Sequence, residues 1–160
     1  MQARRRPRDA EAIDLAAQPG HLIRRLQQIA VAIFLQETGP LGVTPVQYAA
    51  LQAVANAPGI DQRTLARTIG YDTSTIASVI DRLESRGWLT RNPAPEDRRL
   101  RRLVLTREGE ALVREAAPGM LQAQARILAP LTARERAQFM KMLGRLVEAN
   151  KEHSRAPSED

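Results

Sequence analysis

Ile76, Val79, Ile80 and Leu83 recur at i, i+3, i+4 and i+7, the spacing at which one face of a helix returns. The pattern predicts a helix over residues 73–86 that buries these four side chains and turns Thr73, Ser74, Thr75, Ser78 and Arg82 outward. After it, Gly87 is placed to cap the C-terminus, and Trp88 to Arg91 reads as a short strand. Pro93 and Pro95 do not belong in the interior of a paired strand, so Asn92 to Arg99 is expected to turn. Arg101 to Leu105 then alternates like a returning strand, with Leu103 and Leu105 on one face.

The same patterning divides the rest of the chain. From Pro19 to Thr38 a broad apolar stripe of Leu22, Ile23, Leu26, Ile29, Ile33 and Phe34 predicts a helix that something must cover, either the C-terminal helices or a second copy. Gly39-Pro40-Leu41-Gly42 breaks it. Thr44, Pro45 and Gln47 form a capping-box signature for a helix running to about Ala57, where Pro58-Gly59 stops it. Asp61 caps a short helix holding Leu65, Ala66 and Ile69, with Gly70 past its end. Downstream, Thr106 opens a helix through Ala111, Leu112 and Val113 that Pro118-Gly119 is expected to kink or divide. Thr132 with Glu135 signs a last helix through Phe139, Leu143, Leu146 and Val147.

Three short helices followed by a hairpin make a winged helix-turn-helix, so the expected class is mainly α with a two-stranded β wing. The expected organisation is one domain over residues 13–150, with the DNA-binding part at 44–106 and dimerisation helices at 13–38 and 107–150. A disordered basic arm is expected over 1–12, around Arg4, Arg5, Arg6 and Arg8, and a frayed tail over 151–160.

Charge sharpens this picture. The chain holds 24 Lys and Arg against 18 Asp and Glu, a net +6, and the wing tip and return strand concentrate Arg98, Arg99, Arg101 and Arg102 behind Asp97. Like charges at that density repel unless an anionic partner neutralises them. The outward helix face, short hydroxyls plus one arginine, suits a groove in which donors and acceptors meet base edges and phosphates, although a solvated surface has the same composition. Asp97 is placed to hold the Arg99 guanidinium by a charge-assisted hydrogen bond. Arg101 and Arg102 point to opposite faces of a strand, so only one of them is expected to face DNA, and the sequence leaves open which.

Other chemistries lack their residues. There is no cysteine, which excludes disulfides, thiolate metal sites and thiol-based oxidant sensing. The two histidines are His21 and His153, and neither a glycine-rich phosphate loop nor metal-ligand spacing occurs, so no catalytic residue, metal or cofactor is expected. The N-terminus MQARRRPRDAEAID carries no apolar run, and no segment reaches the roughly 18 apolar residues of a membrane span. A cytoplasmic protein without a membrane partner is therefore expected.

The run DRLESRGWLTRNPAPEDRRLRRLVLTREG, residues 81–109, resembles the signature of the MarR family of bacterial transcription regulators. That pattern passes from D-x-R at the wing tip to L-T-x-x-G at the next helix, and Asp97, Arg99, Leu105, Thr106 and Gly109 occupy those positions. The resemblance runs from about Leu22 to Val147. It implies that the wing-tip arginine, Arg99, enters a minor groove, that the helix over 73–86 lies in a major groove, and that a homodimer binds a pseudo-palindromic double-stranded operator. His21, Arg24, Arg25 and Gln28 share one side of the first helix, where an arginine could clamp a carboxylate beside the apolar stripe. The segment HLIRRLQQ is similar to family members that respond to aromatic acids or their thioesters, which makes these four residues candidate effector ligands; structural salt bridging is the alternative. The expected function is a sequence-specific, ligand-responsive regulator. The other reading is a winged-helix protein that binds a protein partner, or nucleic acid without sequence preference.

Overall fold

The computed structural model describes residues 13–95, Asp97 and residues 99–157. The expected basic arm over 1–12, Arg98 at the wing tip and the last three residues of the tail lie outside the described residues. After a 3₁₀ turn at Leu15–Ala17 the order is α1 (Pro19–Thr38), α2 (Pro45–Asn56), α3 (Gln62–Ile69), α4 (Thr73–Ser85), β1 (Leu89–Pro93), β2 (Arg101–Leu105), α5 (Arg107–Leu128) and α6 (Ala133–Ala149). Another 3₁₀ turn, Lys151–His153, stands where fraying was expected to begin, because the Asn150 carbonyl accepts from the His153 N–H.

Local chemistry sets the boundaries. Thr44 and Thr132 each form a full capping box, with Gln47 and Glu135 reaching back to the cap backbone. Gly70 and Gly87 end α3 and α4 at positive φ, and behind Gly87 the N–H of Trp88 returns to the Leu83 carbonyl in a Schellman turn. The core then forms from the faces that periodicity selected. Ile76, Val79, Ile80 and Leu83 of α4 are buried with Leu51 and Val54 of α2, Leu65 of α3, Leu89 and Leu103 of the wing, and Leu112 and Val113 of α5.

Three features depart from the pattern. Pro118 neither breaks nor divides its helix: α5 is continuous from Arg107 to Leu128. At that point α5 lies against α1, and a Cβ on Gly119 would come within 2.6 Å of the Glu37 carbonyl, so packing against α1 holds the helix together where a hydrogen bond is missing. Pro93 is paired, as the last residue of β1 opposite Arg101, a terminal position where a missing N–H costs little. The Pro58-Gly59 stop also joins the wing, since Gly59 N–H donates to Leu103 O at 2.8 Å and Leu103 N–H donates to Ile60 O at 3.0 Å.

The long helices are covered unevenly. α1 buries only Phe34 and Thr38, and α6 buries none of its residues. Leu22, Ile23, Leu26, Ile29, Leu143, Leu146 and Val147 remain exposed in the single chain. Among the described residues no single helix is long and apolar enough to cross a membrane.

Candidate nucleic-acid interface

The first turn of α4 is organised by Asp72. Its carboxylate accepts from the Ser74 hydroxyl at 2.6 Å, the Thr75 hydroxyl at 2.7 Å and the Thr75 N–H at 2.8 Å. The Ser74 hydroxyl, then the Thr75 hydroxyl and N–H, hold this carboxyl well below the usual carboxylate range. Ser74 and Thr75 therefore spend their hydroxyl protons on the cap and present acceptor lone pairs outward. Gln62 of α3 donates to the Thr73 carbonyl at 3.3 Å and fixes the turn between the two helices.

Because the folded pKa of Asp72 is depressed, its contribution is complete above the ordinary carboxylate range and is lost as pH falls toward its own lower value. Asp72→Ala should accelerate amide exchange at Thr75 and Ile76 at neutral pH and leave that exchange less pH-dependent than in the parent. Equal protection in both proteins would refute the capping role.

All five outward residues, Thr73, Ser74, Thr75, Ser78 and Arg82, are exposed, as the periodicity predicted. Two nearby cations are already engaged. Arg91 of β1 pairs with Asp81, makes a second ionic contact with Glu84 at 3.7 Å, and through its backbone N–H donates to Glu84 at 3.2 Å. Asp81 and Glu84 thus fasten the wing to α4, a role that sequence reading missed; three-residue spacing ahead of a glycine turn and an arginine four residues past it was the available signal. Arg86 donates to the Gly42 carbonyl at 2.8 Å and stacks over the Trp88 ring at 4.7 Å.

The wing tip differs from expectation. Asp97 accepts from the backbone N–H of Arg99 at 2.8 Å, and its own carbonyl accepts from Leu100 at 3.0 Å. It therefore stabilises the turn and leaves the Arg99 guanidinium exposed, without a partner among the described residues. Arg101 and Arg102 take different surroundings. Arg101 is exposed, whereas Arg102 is half-buried and donates to the Gly59 carbonyl at 3.2 Å. Among the described residues, Arg82, Arg99 and Arg101 remain as outward cations on α4 and the wing.

The end of the motif ties elements together. Thr106 accepts from Gly109 N–H at 3.0 Å and donates to the Gly87 carbonyl at 2.5 Å, which joins the start of α5 to the exit of α4. Gly109 is required because a Cβ there would collide with the Trp88 carbonyl oxygen.

The first-helix constellation is only partly assembled. Arg24 donates to Gln28 at 3.1 Å, Arg25 is exposed and His21 is half-buried. A cleft of about 830 Å³ opens elsewhere, walled by Phe34, Tyr48 and Met120 with Gln52, Asn56 and Arg102 among its polar groups. None of His21, Arg24, Arg25 and Gln28 lines it in the single chain. Among the described residues no cluster of His, Cys, Asp and Glu suited to a metal ion occurs.

Residues 41–100 match the MarR family model. The transcriptional regulator HosA of Escherichia coli is 33% identical over 129 residues, 81% of this chain and 94% of its own. The PcaV transcriptional regulator of Streptomyces coelicolor, solved with its natural ligand, is 40% identical with a TM-score of 0.79, covering 86% of this chain and 97% of its own. BpsR of Bordetella bronchiseptica, whose DNA binding is regulated by 6-hydroxynicotinic acid, is 30% identical with a TM-score of 0.80, covering 84% and 96%.

Proposed function

We propose, because this chain belongs to the MarR family of transcriptional regulators, that two copies of it read a pseudo-palindromic operator in the cytoplasm. Each copy sets α4 in a major groove and its wing tip in the adjoining minor groove. Residues 44–106 form the reading head, and residues 13–38 and 107–150 join the copies. One observation carries the reading. α4 buries its apolar quartet and leaves Thr73, Ser74, Thr75, Ser78 and Arg82 outward, and the wing that follows presents the exposed cations Arg99 and Arg101.

A narrow minor groove concentrates negative potential, so the arginine that enters it contributes through shape and charge, while hydroxyls on α4 exchange hydrogen bonds with base edges. Replacing Arg99 by alanine is expected to cost about 1–3 kcal/mol in operator binding without loss of fold. Arg101→Ala should weaken operator and random duplex alike and lower the salt slope by about 1, the signature of a phosphate contact. Fluorescence anisotropy at several salt concentrations checks both. Unchanged affinity in the two variants would overturn the assignment of the wing.

The effector reading takes a planar aromatic acid, or its thioester, as the ligand that releases DNA. Similarity to a regulator that responds to such an acid supports it, together with a roomy, largely apolar cleft between the terminal helices and the reading head. The α1 patch of His21, Arg24, Arg25 and Gln28 lies apart from that cleft, so its part in effector binding would need the second copy.

A further inference from the structure

The chain enters the reading head through residues 39–43 after α1 and leaves it at Thr106 ahead of α5. The two long helices at those points form one body. Gly119 of α5 lies against the Glu37 carbonyl of α1, and Arg126 of α5 pairs with the Glu37 carboxylate at 2.5 Å. Both attachments are tied to one short segment, residues 86–88 at the exit of α4. On the α5 side, Thr106 donates its hydroxyl proton to the Gly87 carbonyl at 2.5 Å and its N–H to the Trp88 carbonyl at 3.1 Å. On the α1 side, the Arg86 guanidinium donates to the Gly42 carbonyl at 2.8 Å, across 44 residues of sequence. Both ends of that last bond are prepared. The guanidinium lies over the Trp88 ring, and a planar fork already stacked on an aromatic face gives up little freedom when it donates. Gly42 closes the 3₁₀ turn Gly39–Leu41 at φ 61°, a backbone position that glycine takes without strain, with its N–H on the Gly39 carbonyl.

We propose that Arg86 is a positioning residue that fixes the tilt of the reading head on α1 and α5, and with it the spacing of half-sites the protein accepts. The inference rests on the paired-head reading and deepens it. The bond to Thr106 alone leaves the head a single polar tie, about which it can rock; the bond to Gly42 supplies a second one on the other attachment. In a pair of copies, the tilt of each head sets the separation of the two α4 helices. Each added base pair moves the second half-site by about 3.4 Å along the duplex and turns it by about 35°. A stiff tilt therefore rejects such a change, and a soft one tolerates it.

The experiment uses the full-length protein and half-sites recovered by selection from random duplexes. Anisotropy measures binding to operators with the selected spacing, with one base pair removed, with one added, and to a duplex holding a single half-site. The parent should lose at least about 10-fold on either change of spacing, because the second head no longer engages fully. Arg86→Met should reduce that discrimination by about 3- to 10-fold, the range for one hydrogen bond. Its affinity for the single half-site should equal the parent's, which shows the head folded and its DNA contacts intact. Arg86→Lys should recover part of the discrimination, since an ammonium still reaches the carbonyl but lacks the planar stack. If Arg86→Met discriminates spacing as the parent does, Arg86 does not set the tilt and the paired-head reading stands. A uniform loss on every duplex, the single half-site included, makes Arg86 a DNA contact and overturns the inference. If the parent itself is indifferent to spacing, this inference and the paired-head reading fall together.

Discussion

Glutamate at both Leu143 and Leu146 is expected to give a folded chain that sediments as a monomer and binds operator about 10²- to 10⁴-fold more weakly. The effect is large because it acts on linkage between two reading heads, and joining two sites multiplies affinity by about that factor without any new contact. It should not unfold the chain, since Leu143 is 37% and Leu146 55% exposed and α6 buries nothing within its own subunit. In a pair of copies the same leucines, with Leu22, Leu26 and Ile29 of α1, would form an apolar seam, and burying the added carboxylates there would carry a large desolvation cost. The paired heads would sit about 34 Å apart, which sets half-sites roughly 10 base pairs centre to centre. Analytical ultracentrifugation beside anisotropy on full and half operators tests this. A variant that remains dimeric, or a monomer that keeps parental affinity for the full operator, would defeat the proposal.

Gly109→Ala is expected to destabilise the fold by about 3 kcal/mol or more, toward the upper end of what a single overpacked site costs. Its Cβ would fall on the carbonyl oxygen of Trp88, a backbone atom that has no rotamer to escape into. The same carbonyl accepts from Thr106 N–H at 3.1 Å, so retreat of either segment also breaks a bond that joins the wing to α5. Gly20→Ala is the matched control, because nothing lies within 4 Å of its added carbon. Urea unfolding at one fixed chain concentration compares them, since association would otherwise shift the midpoint. If the two variants unfold at the same midpoint, the close approach of α5 to the wing is not as described.

Gly109 and Asp97 show where reading along the chain reaches its limit. Gly109 was visible as part of a motif, yet the reason for it is a contact with Trp88, on the far side of the wing in the chain. Asp97 was placed correctly at the wing tip but serves the backbone N–H of Arg99 and not its guanidinium. A short acceptor two residues before an N–H closes a turn at little conformational cost, whereas reaching a long, exposed side chain requires ordering several bonds.

What the sequence determined by itself is what depends on neighbours within a few residues. The capping boxes at Thr44 and Thr132, the glycine ends of α3 and α4, and the burial of Ile76, Val79, Ile80 and Leu83 all follow from hydrogen bonds and side-chain directions that repeat every three or four positions. Tertiary structure alone decided that Arg102 and not Arg101 turns inward, because its partner carbonyl at Gly59 is 43 residues away. It also decided that Asp81 holds Arg91, that Ile60 extends the wing, and that α5 runs through Pro118 against α1. Strand alternation offers two faces and propensity counts one lost hydrogen bond, but the surface waiting across the fold determines which face is taken and whether the loss is offset.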